Sequence, residues 1–188
     1  MIDTLLEKNW IPDFLIRSQI RRLNQRRLKS EAQKHANGYK AELVKELKSS
    51  PIAIETTAAN DQHYEVPPEF FERCLGKHLK YSCCYWPNGV SNLDQAESSM
   101  LELTCERADI KDGQTILELG CGWGAISLWM AEQYPNSKIL SVSNSNDQRK
   151  FIETTAAQRG LQNLQVQTCD MNSFETDQTF DRVVSVEM

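Results

Sequence analysis

Apolar and polar residues alternate along this chain in two ways, and the change between them falls near residue 110. Before that point apolar residues recur at helical spacing, as Ile16, Ile20 and Leu23 do, which predicts helices. After it, short apolar runs alternate with helical stretches, which predicts strands joined by helices. The pattern therefore predicts an α/β fold preceded by a helical segment.

The first part of the chain is predicted to form two or three helices within residues 3–48. Asn37-Gly38 should break them, because glycine readily adopts the left-handed conformation that ends a helix. A short helix is expected at 69–75, just after a proline that suits a first helical turn. Asn92 followed by Gln95 resembles a capping box that begins a helix reaching Ala108. Four apolar residues recur along that helix: Ala96, Met100, Leu103 and Ala108.

The second part of the chain alternates strands and helices. Alternation at this spacing predicts right-handed crossovers and a parallel sheet covered on both faces. The predicted strands are 115–119, 138–143, 164–169 and 180–187, and the predicted helices are 123–134 and 146–159.

Composition restricts the class of protein. Of the 188 residues 40% are apolar and 25% are charged, as in soluble globular proteins. No apolar run is long enough to span a membrane, and the first residues do not resemble a secretory signal. The six cysteines include no C-x-x-C pair, which favours free thiols in a cytoplasmic protein over a structural metal.

Charge is distributed unevenly. Residues 1–50 contain eleven Lys and Arg against six Asp and Glu, whereas the rest contain ten against twenty. Residues 17–34 hold seven of these cations and one acid, so this helix could contact an anionic membrane surface. The alternative is a helix packed on the domain with a solvated basic face. Nucleic acid is not expected, because no aromatic residues are interleaved with the cations.

The segment from Ile116 to Gly124, Ile-Leu-Glu-Leu-Gly-Cys-Gly-Trp-Gly, carries most of the functional information. An apolar run with one acid, Glu118, leads into glycines at 120, 122 and 124, and a helical stretch follows. Such a turn exposes backbone amides at a helix N-terminus, where partial positive charge favours a carboxylate or phosphate. The segment therefore predicts a ligand at Gly120 and Gly122, with a glycine turn that binds nothing as the alternative.

A dinucleotide is one candidate ligand, since Gly120, Gly122 and Ala125 satisfy the G-x-G-x-x-G/A spacing. A NAD site also needs an acid about 20 residues further on, to bind the ribose hydroxyls. Here the second strand ends in Ser143-Asn144-Ser145. The segment instead resembles motif I of the class I S-adenosylmethionine (SAM) methyltransferases, which favours SAM over a nicotinamide or flavin nucleotide.

Two more segments carry the resemblance. Residues 60–71, Asn-Asp-Gln-His-Tyr-Glu-Val-Pro-Pro-Glu-Phe-Phe, are similar to the His-Tyr-Asp-x-x-Asn-x-Phe-Phe segment of the cyclopropane-fatty-acyl-phospholipid synthase family. Residues 80–86, Lys-Tyr-Ser-Cys-Cys-Tyr-Trp, resemble that family's Tyr-Ser-Cys-x-Tyr loop. The residues at 62–67, 83–84 and 186–188 are most similar to those of the coclaurine N-methyltransferase-like branch. The resemblance implies a Rossmann-like sheet of seven strands that binds SAM.

The family's cofactor residues can be carried over position by position. Tyr81 and Ser82 would contact the methionine end of SAM, together with the amides around Gly120 and Gly122. Glu118 is expected to orient the glycine loop by accepting its amide hydrogens.

The nucleoside end of SAM is matched by a second group of residues. Asn144 and Gln148 would face the ribose, because this family has polar amides where dinucleotide enzymes have an acid. Asp170 and Met171 would flank the adenine, the first as a hydrogen-bond acceptor and the second by packing on the ring.

Two catalytic candidates follow from the resemblance. Cys83 matches the bicarbonate-binding cysteine of the lipid-modifying branch. Glu187 matches the first Glu of the N-methyltransferase branch, whose following Glu-His pair would fall at positions 190 and 191, after the last residue of this sequence. Taken alone, Cys83 is as compatible with a small apolar residue, and Glu187 with a solvated carboxylate at the end of a strand.

The expected organisation has three parts. Residues 1–59 form a helical N-terminal extension, residues 60–110 a cap and active-site segment with a lead-in helix, and residues 111–188 the first half of a SAM-binding domain, truncated after its fourth strand. The first functional hypothesis is methyl transfer from SAM to a small-molecule amine. The alternatives are modification of an unsaturated phospholipid acyl chain, and a truncated fragment that binds SAM without catalysis.

Overall fold

The computed structural model describes residues 2–52, residue 54 and residues 68–187. It contains two compact units, Met1–Pro51 and Ile52–Met188. Residues 60–67, which carry part of the family resemblance, lie outside the described residues, as does the expected boundary at 59.

The first unit consists of three helices, α1 (Ile2–Glu7), α2 (Asp13–Ala36) and α3 (Tyr39–Ser49). The predicted break is confirmed: the Asn37 amide donates to the Gln33 carbonyl at 3.1 Å, and Gly38 has a φ of +77°. Neither α2 nor α3 has a buried residue. Among the described residues, no helix is both long and apolar enough to cross a membrane.

Two helices precede the sheet in the second unit, α4 (Pro68–Cys74) and α5 (Leu93–Arg107). The predicted capping box is confirmed, because Asn92 Oδ1 accepts from the Gln95 amide at 3.0 Å. The Gln95 side chain in turn accepts from the Ser91 amide at 3.0 Å, one residue before the position that a capping box usually uses.

The buried side of α5 differs from the predicted one. Its buried residues are Ala96, Glu97, Leu101 and Cys105, whereas Met100 and Leu103 are only half-buried. The spacing of apolar residues predicted Met100 and Leu103 instead, which lie one and two positions from the buried Leu101. The difference arises because Glu97 is drawn into the interior by three backbone amides, which are described below with the site.

A four-stranded parallel sheet forms the centre of this unit, in the order β3-β2-β1-β4. The predicted alternation of strands and helices is confirmed, although β4 is shorter than expected. The elements are β1 (Thr115–Leu119), α6 (Ala125–Gln133), β2 (Lys138–Ser143), α7 (Asn146–Gln158), β3 (Leu164–Thr168) and β4 (Arg182–Ser185).

The two faces of the sheet are covered differently. One face, with Ile116 and Ile139, packs on Leu101 of α5 and Met130 of α6, and Val166 on the same face packs on α7. The opposite face packs on the irregular segment 169–181. Both faces of the sheet are therefore covered, as predicted, one by helices and the other by an irregular segment. Right-handed crossovers that add strands in one direction, from β1 to β2 and then to β3, place both of their helices on the same face of the sheet.

Candidate active site

A cavity of about 350 Å³ opens at the carboxyl ends of β1 and β2. Ligands of open parallel sheets bind at this edge, where neighbouring crossovers diverge. Most of the predicted site residues line it: Tyr81, Ser82, Glu118, Gly120, Gly122, Asn144, Gln148, Met171 and Glu187. Cys83 and Asp170 are not among the described residues that line the cavity.

The glycine turn forms one wall of the cavity. Gly120, Gly122 and Gly124 have φ values of +76°, +53° and +82°, which glycine adopts at little cost. The amides of Gly120 and Cys121 both donate to the Val142 carbonyl at 3.0 Å, so they are engaged within the protein.

The amides of Gly122 and Trp123 find no acceptor among the described residues. The amides at the start of a helix have no partner within the helix and can donate to a ligand. The amides of Gly122 and Trp123 are therefore available to a ligand, slightly further along the chain than the predicted pair Gly120 and Gly122.

Glu118 lies in β1, just before the glycine turn, and is 3% exposed. Its Oε2 accepts from the hydroxyls of Ser127 on α6 and Ser141 on β2, the latter at 2.9 Å. These hydroxyls differ from the amide partners that the sequence suggested. Burial raises the pKa of Glu118 to about 7, and the two hydroxyl hydrogen bonds oppose the shift only partly. A cation in the cavity would favour the ionised carboxylate.

Gln148, at the start of α7, is held by the end of β2. Its Oε1 accepts from the Ser143 hydroxyl at 2.6 Å, and the side chain is 2% exposed. Its Nε2 has no hydrogen-bond partner in the described structure. A buried amide nitrogen that lines a cavity and lacks an acceptor is suited to a hydroxyl or carbonyl oxygen of a ligand.

The second wall is the turn from Lys80 to Cys83. Lys80 is 4% exposed, and its ammonium donates to the Ser82 hydroxyl and to the Cys83 carbonyl, the latter at 2.8 Å. Tyr81 contacts the ring of Phe71 with a centroid distance of 5.1 Å, and Phe71 also contacts Trp123 at 5.2 Å. Phe71 thus touches both walls.

Glu97 anchors the loop that leads into this turn. Its side chain is fully buried, and its carboxylate accepts from the amides of Gly76 (2.8 Å), His78 (2.9 Å) and Lys80 (3.3 Å). A Cβ on Gly76 would lie 2.8 Å from Glu97 Oε2. The glycine is therefore required by the close approach of a carboxylate.

The two catalytic candidates lie side by side. The Cys83 amide donates to Glu187 Oε1 at 3.1 Å, and this hydrogen bond is the main reason that the pKa of Glu187 lies below its ordinary value. Glu187 is an exposed, ionised carboxylate at the cavity. The roles of both residues stay predictions.

The remaining candidates occupy the far side of the cavity. Asn144 is exposed at the end of β2, and Met171 packs beside Leu140 and Val142. Asp170 accepts from the Asn172 amide at 2.8 Å through Oδ1. Their contacts with adenine or ribose remain predictions.

Sequence reasoning missed two residues of the second wall, Glu97 and Lys80. Glu97 precedes Leu101 by four residues and Cys105 by eight, so a helical repeat centred on those two would have included it. Lys80 stands next to the recognised Tyr81-Ser82 pair, but no sequence pattern indicates that a lysine is buried.

The sequence pattern of the mycolic acid cyclopropane synthetase family matches residues 53–188. The chain belongs to this family. The resemblance inferred from the three motifs is thereby confirmed, and the similarity to individual proteins agrees with it.

The N-methyltransferase branch is represented by two relatives. (S)-coclaurine N-methyltransferase of Thalictrum flavum subsp. glaucum is 41% identical over 186 residues, 97% of this chain and 52% of the relative. The crystal structure of a coclaurine N-methyltransferase bound to N-methylheliamine and SAH matches with a TM-score of 0.88 and 37% identity. That match covers 97% of this chain and 53% of the solved one.

The lipid branch is represented by the cyclopropane-fatty-acyl-phospholipid synthase of Escherichia coli (strain K12). It is 34% identical over 127 residues, 68% of this chain and 31% of the relative. The chain spans about half the length of the N-methyltransferases that it matches.

Proposed function

We propose that residues 52–187 bind SAM and that the protein transfers its methyl group to a small-molecule amine. One observation carries the proposal: the cavity beside β1 and β2 combines the unpaired amides of Gly122 and Trp123 with the unpaired amide nitrogen of Gln148 and the buried Glu118. A solved N-methyltransferase that is 37% identical to this chain is bound to SAH, the product form of SAM.

The donors and acceptors of the cavity fit the parts of SAM. The Ser82 hydroxyl and the Gly122 and Trp123 amides suit its carboxylate, and Glu118 suits its ammonium group. The Gln148 amide nitrogen suits a ribose hydroxyl.

The remaining predicted residues complete the assignment. Tyr81 would cover the methionine end of SAM, and Asn144 would donate to the ribose. Met171 would pack on the adenine ring, with Asp170 accepting from its exocyclic amine.

When bound, SAM supplies a methyl group on a sulfonium, whose carbon–sulfur bond breaks as an acceptor nitrogen forms the new bond. The protein then has to align the acceptor and compensate the positive charge that moves to nitrogen. Glu187, held ionised by the Cys83 amide, provides a carboxylate at the cavity for that charge and for the proton that the product ammonium loses.

Amine acceptors are favoured over lipids by the comparisons. The N-methyltransferase relatives match nearly all of this chain, and the lipid synthase matches 68% of it. On α2, Arg27 follows Leu23 by four residues and Ile20 by seven, so cations share the side that carries apolar residues. Arg27 therefore interrupts the short apolar stripe that Ile20 and Leu23 form on this helix.

Calorimetry with SAH and NAD tests the cofactor assignment. We expect the 188-residue chain to bind SAH and not NAD. Gly122→Ala places a methyl group in the cavity at a φ of +53°, where no protein atom lies within 4 Å, and should weaken SAH binding about tenfold. Gly160→Ala, at a φ of +70° and away from the cavity, is the matched control and should leave the affinity unchanged. Absence of SAH binding would overturn the proposal.

Transfer of a labelled methyl group from SAM tests the acceptor. We expect transfer to (S)-coclaurine and none to vesicles of an unsaturated phospholipid. Glu187→Gln should lower the rate about 100-fold while SAH affinity is retained. Sedimentation with anionic vesicles at low salt gives a second readout, because binding together with transfer of the labelled carbon to the lipid double bond would support the cyclopropane synthase alternative. SAH binding without any turnover would support the binding-only reading.

A further inference from the structure

Lys80 is a buried cation that forms no direct ion pair in the described part of the chain. Its side chain is 4% exposed, and no described carboxylate lies within 4.0 Å of its ammonium. The ammonium has three hydrogens to donate, and only two described partners, the Ser82 hydroxyl and the Cys83 carbonyl, accept them. Burial of an unpaired charge is costly, so this arrangement requires compensation from elsewhere.

The cavity is where that compensation can come from, because Lys80 and Ser82 both line it. The two carboxylates that also line it are already engaged: Glu118 accepts from two hydroxyls, and Glu187 accepts from the Cys83 amide. Neither forms an ion pair with Lys80. Glu187 attracts the Lys80 charge only from beyond ion-pair distance, so an anionic group of a ligand in the cavity is the partner that would contact the ammonium directly.

Ser82 connects the ammonium to that ligand. Because its oxygen accepts from Lys80, its own hydrogen is directed to another acceptor, and a cavity ligand can take it. The unpaired Gly122 and Trp123 amides line the same cavity. One charge, one hydroxyl and two amides are thus available to a group with two acceptor oxygens.

We infer that Lys80 recognises the α-carboxylate of SAM and SAH, through its charge and by orienting the Ser82 hydroxyl as a donor. The inference rests on the proposed function and deepens it by naming the residue that distinguishes an amino-acid nucleoside from a simple nucleoside. The competing explanation is structural, namely that Lys80 only fixes the 80–83 turn by joining Ser82 to Cys83.

Two ligands distinguish a role of Lys80 in carboxylate recognition from a purely structural role. SAH carries the α-carboxylate, and 5′-methylthioadenosine has the same adenosine and thioether without the amino-acid group. We expect Lys80→Met to weaken SAH binding at least about tenfold and to change 5′-methylthioadenosine binding less than about twofold. Ser82→Ala should show the same selectivity with a smaller loss, because the charge remains.

Lys77→Met is the matched control. Lys77 is an exposed lysine three residues away in the same loop, and it does not line this cavity. Its replacement removes the same charge and should leave both affinities unchanged. If Lys80→Met fails to fold, as judged by thermal unfolding, Lys80→Gln, which keeps a hydrogen-bond donor and removes the charge, is measured with the same two ligands.

The outcomes are distinct. A wild-type chain that does not bind SAH overturns the proposed function, and the inference with it. A wild-type chain that binds SAH, combined with equal weakening of both ligands in Lys80→Met or with unchanged SAH affinity in Ser82→Ala, overturns the inference alone. Selective loss of SAH affinity in these two variants, and not in Lys77→Met, supports it.

Discussion

The two walls of the cavity are built by different means. The glycine wall, residues 120–124, is shaped by backbone conformation, with three positive φ values and two amides without partners. The turn wall, residues 80–83, is shaped by buried charge, with the Glu97 carboxylate behind it and the Lys80 ammonium within it. One wall depends on the absence of side chains, and the other depends on two charged ones.

This difference determines which kind of substitution should disrupt each wall. Adding one carbon atom should disrupt the glycine wall, because the local space and φ values are restrictive. Removing one charge should disrupt the turn wall, because the amides and hydroxyl that it holds would lose their partners. Substitutions of matched size therefore distinguish the two.

The largest expected effect is on the turn wall. Glu97→Leu leaves the amides of Gly76, His78 and Lys80 without their acceptor in a buried setting, and should lower the free energy of unfolding by about 4 kcal/mol. Glu102→Leu makes the same change on the exposed side of α5 and should cost no more than about 0.5 kcal/mol. Urea unfolding measures both, and equal losses would contradict the anchoring role of Glu97.

The next effect is on the glycine wall. A Cβ on Gly124 would lie 2.6 Å from Ile152 Cγ1 at a φ of +82°, so Gly124→Ala should cost about 3 kcal/mol through overpacking and backbone strain. Gly160→Ala has a similar φ, +70°, and open space around the added carbon, so it should cost only about 1 kcal/mol. If thermal unfolding finds the two alanine variants equally stable, the close contact with Ile152 is not what restricts position 124.

Sequence was a good guide to the glycine wall for a physical reason. Glycines that follow an apolar run identify a strand-to-helix turn, and the repeat of β1, α6, β2 and α7 identifies a parallel sheet around it. Spacing therefore located the glycine turn and the sheet edge where the cavity opens, whereas Tyr81, Asn144 and the other predicted lining residues came from the family resemblance. It placed the free amides slightly too early, because the Val142 carbonyl that engages Gly120 belongs to another strand.

Sequence was a poor guide to the turn wall. Glu97 and Lys80 are charged residues, which are rarely fully buried, so composition assigns them to the surface. Their burial depends on contacts between residues about 20 positions apart, such as the Gly76 amide and Glu97, and no local pattern encodes them.

The pH dependence of stability tests the glycine wall through Glu118, which lies beside it. The pKa of Glu118 rises from 4.5 to about 7 in the folded protein, so the unfolded chain ionises first as the pH increases. Stability should therefore fall between about pH 4.5 and 7, by about 2 kcal/mol from pH 5 to pH 8. Glu118→Gln should remove this part of the pH dependence, which urea unfolding at both pH values would measure. A slope that is identical in the variant would show that another group is responsible.

The smallest expected effects compare the helices that support each wall. Asn92 caps α5, which carries Glu97, through a bond of 3.0 Å to the Gln95 amide, and Asn92→Ala should cost about 1 kcal/mol. Ser145 caps α7, which carries Gln148, but its bond to the Gln148 amide is 3.4 Å long, so Ser145→Ala should cost about 0.5 kcal/mol. Chemical denaturation of both variants tests the order. Gln148 lies in the first turn of α7 and lines the cavity, whereas Glu97 does not line it, so the SAH affinity should fall in Ser145→Ala and stay unchanged in Asn92→Ala.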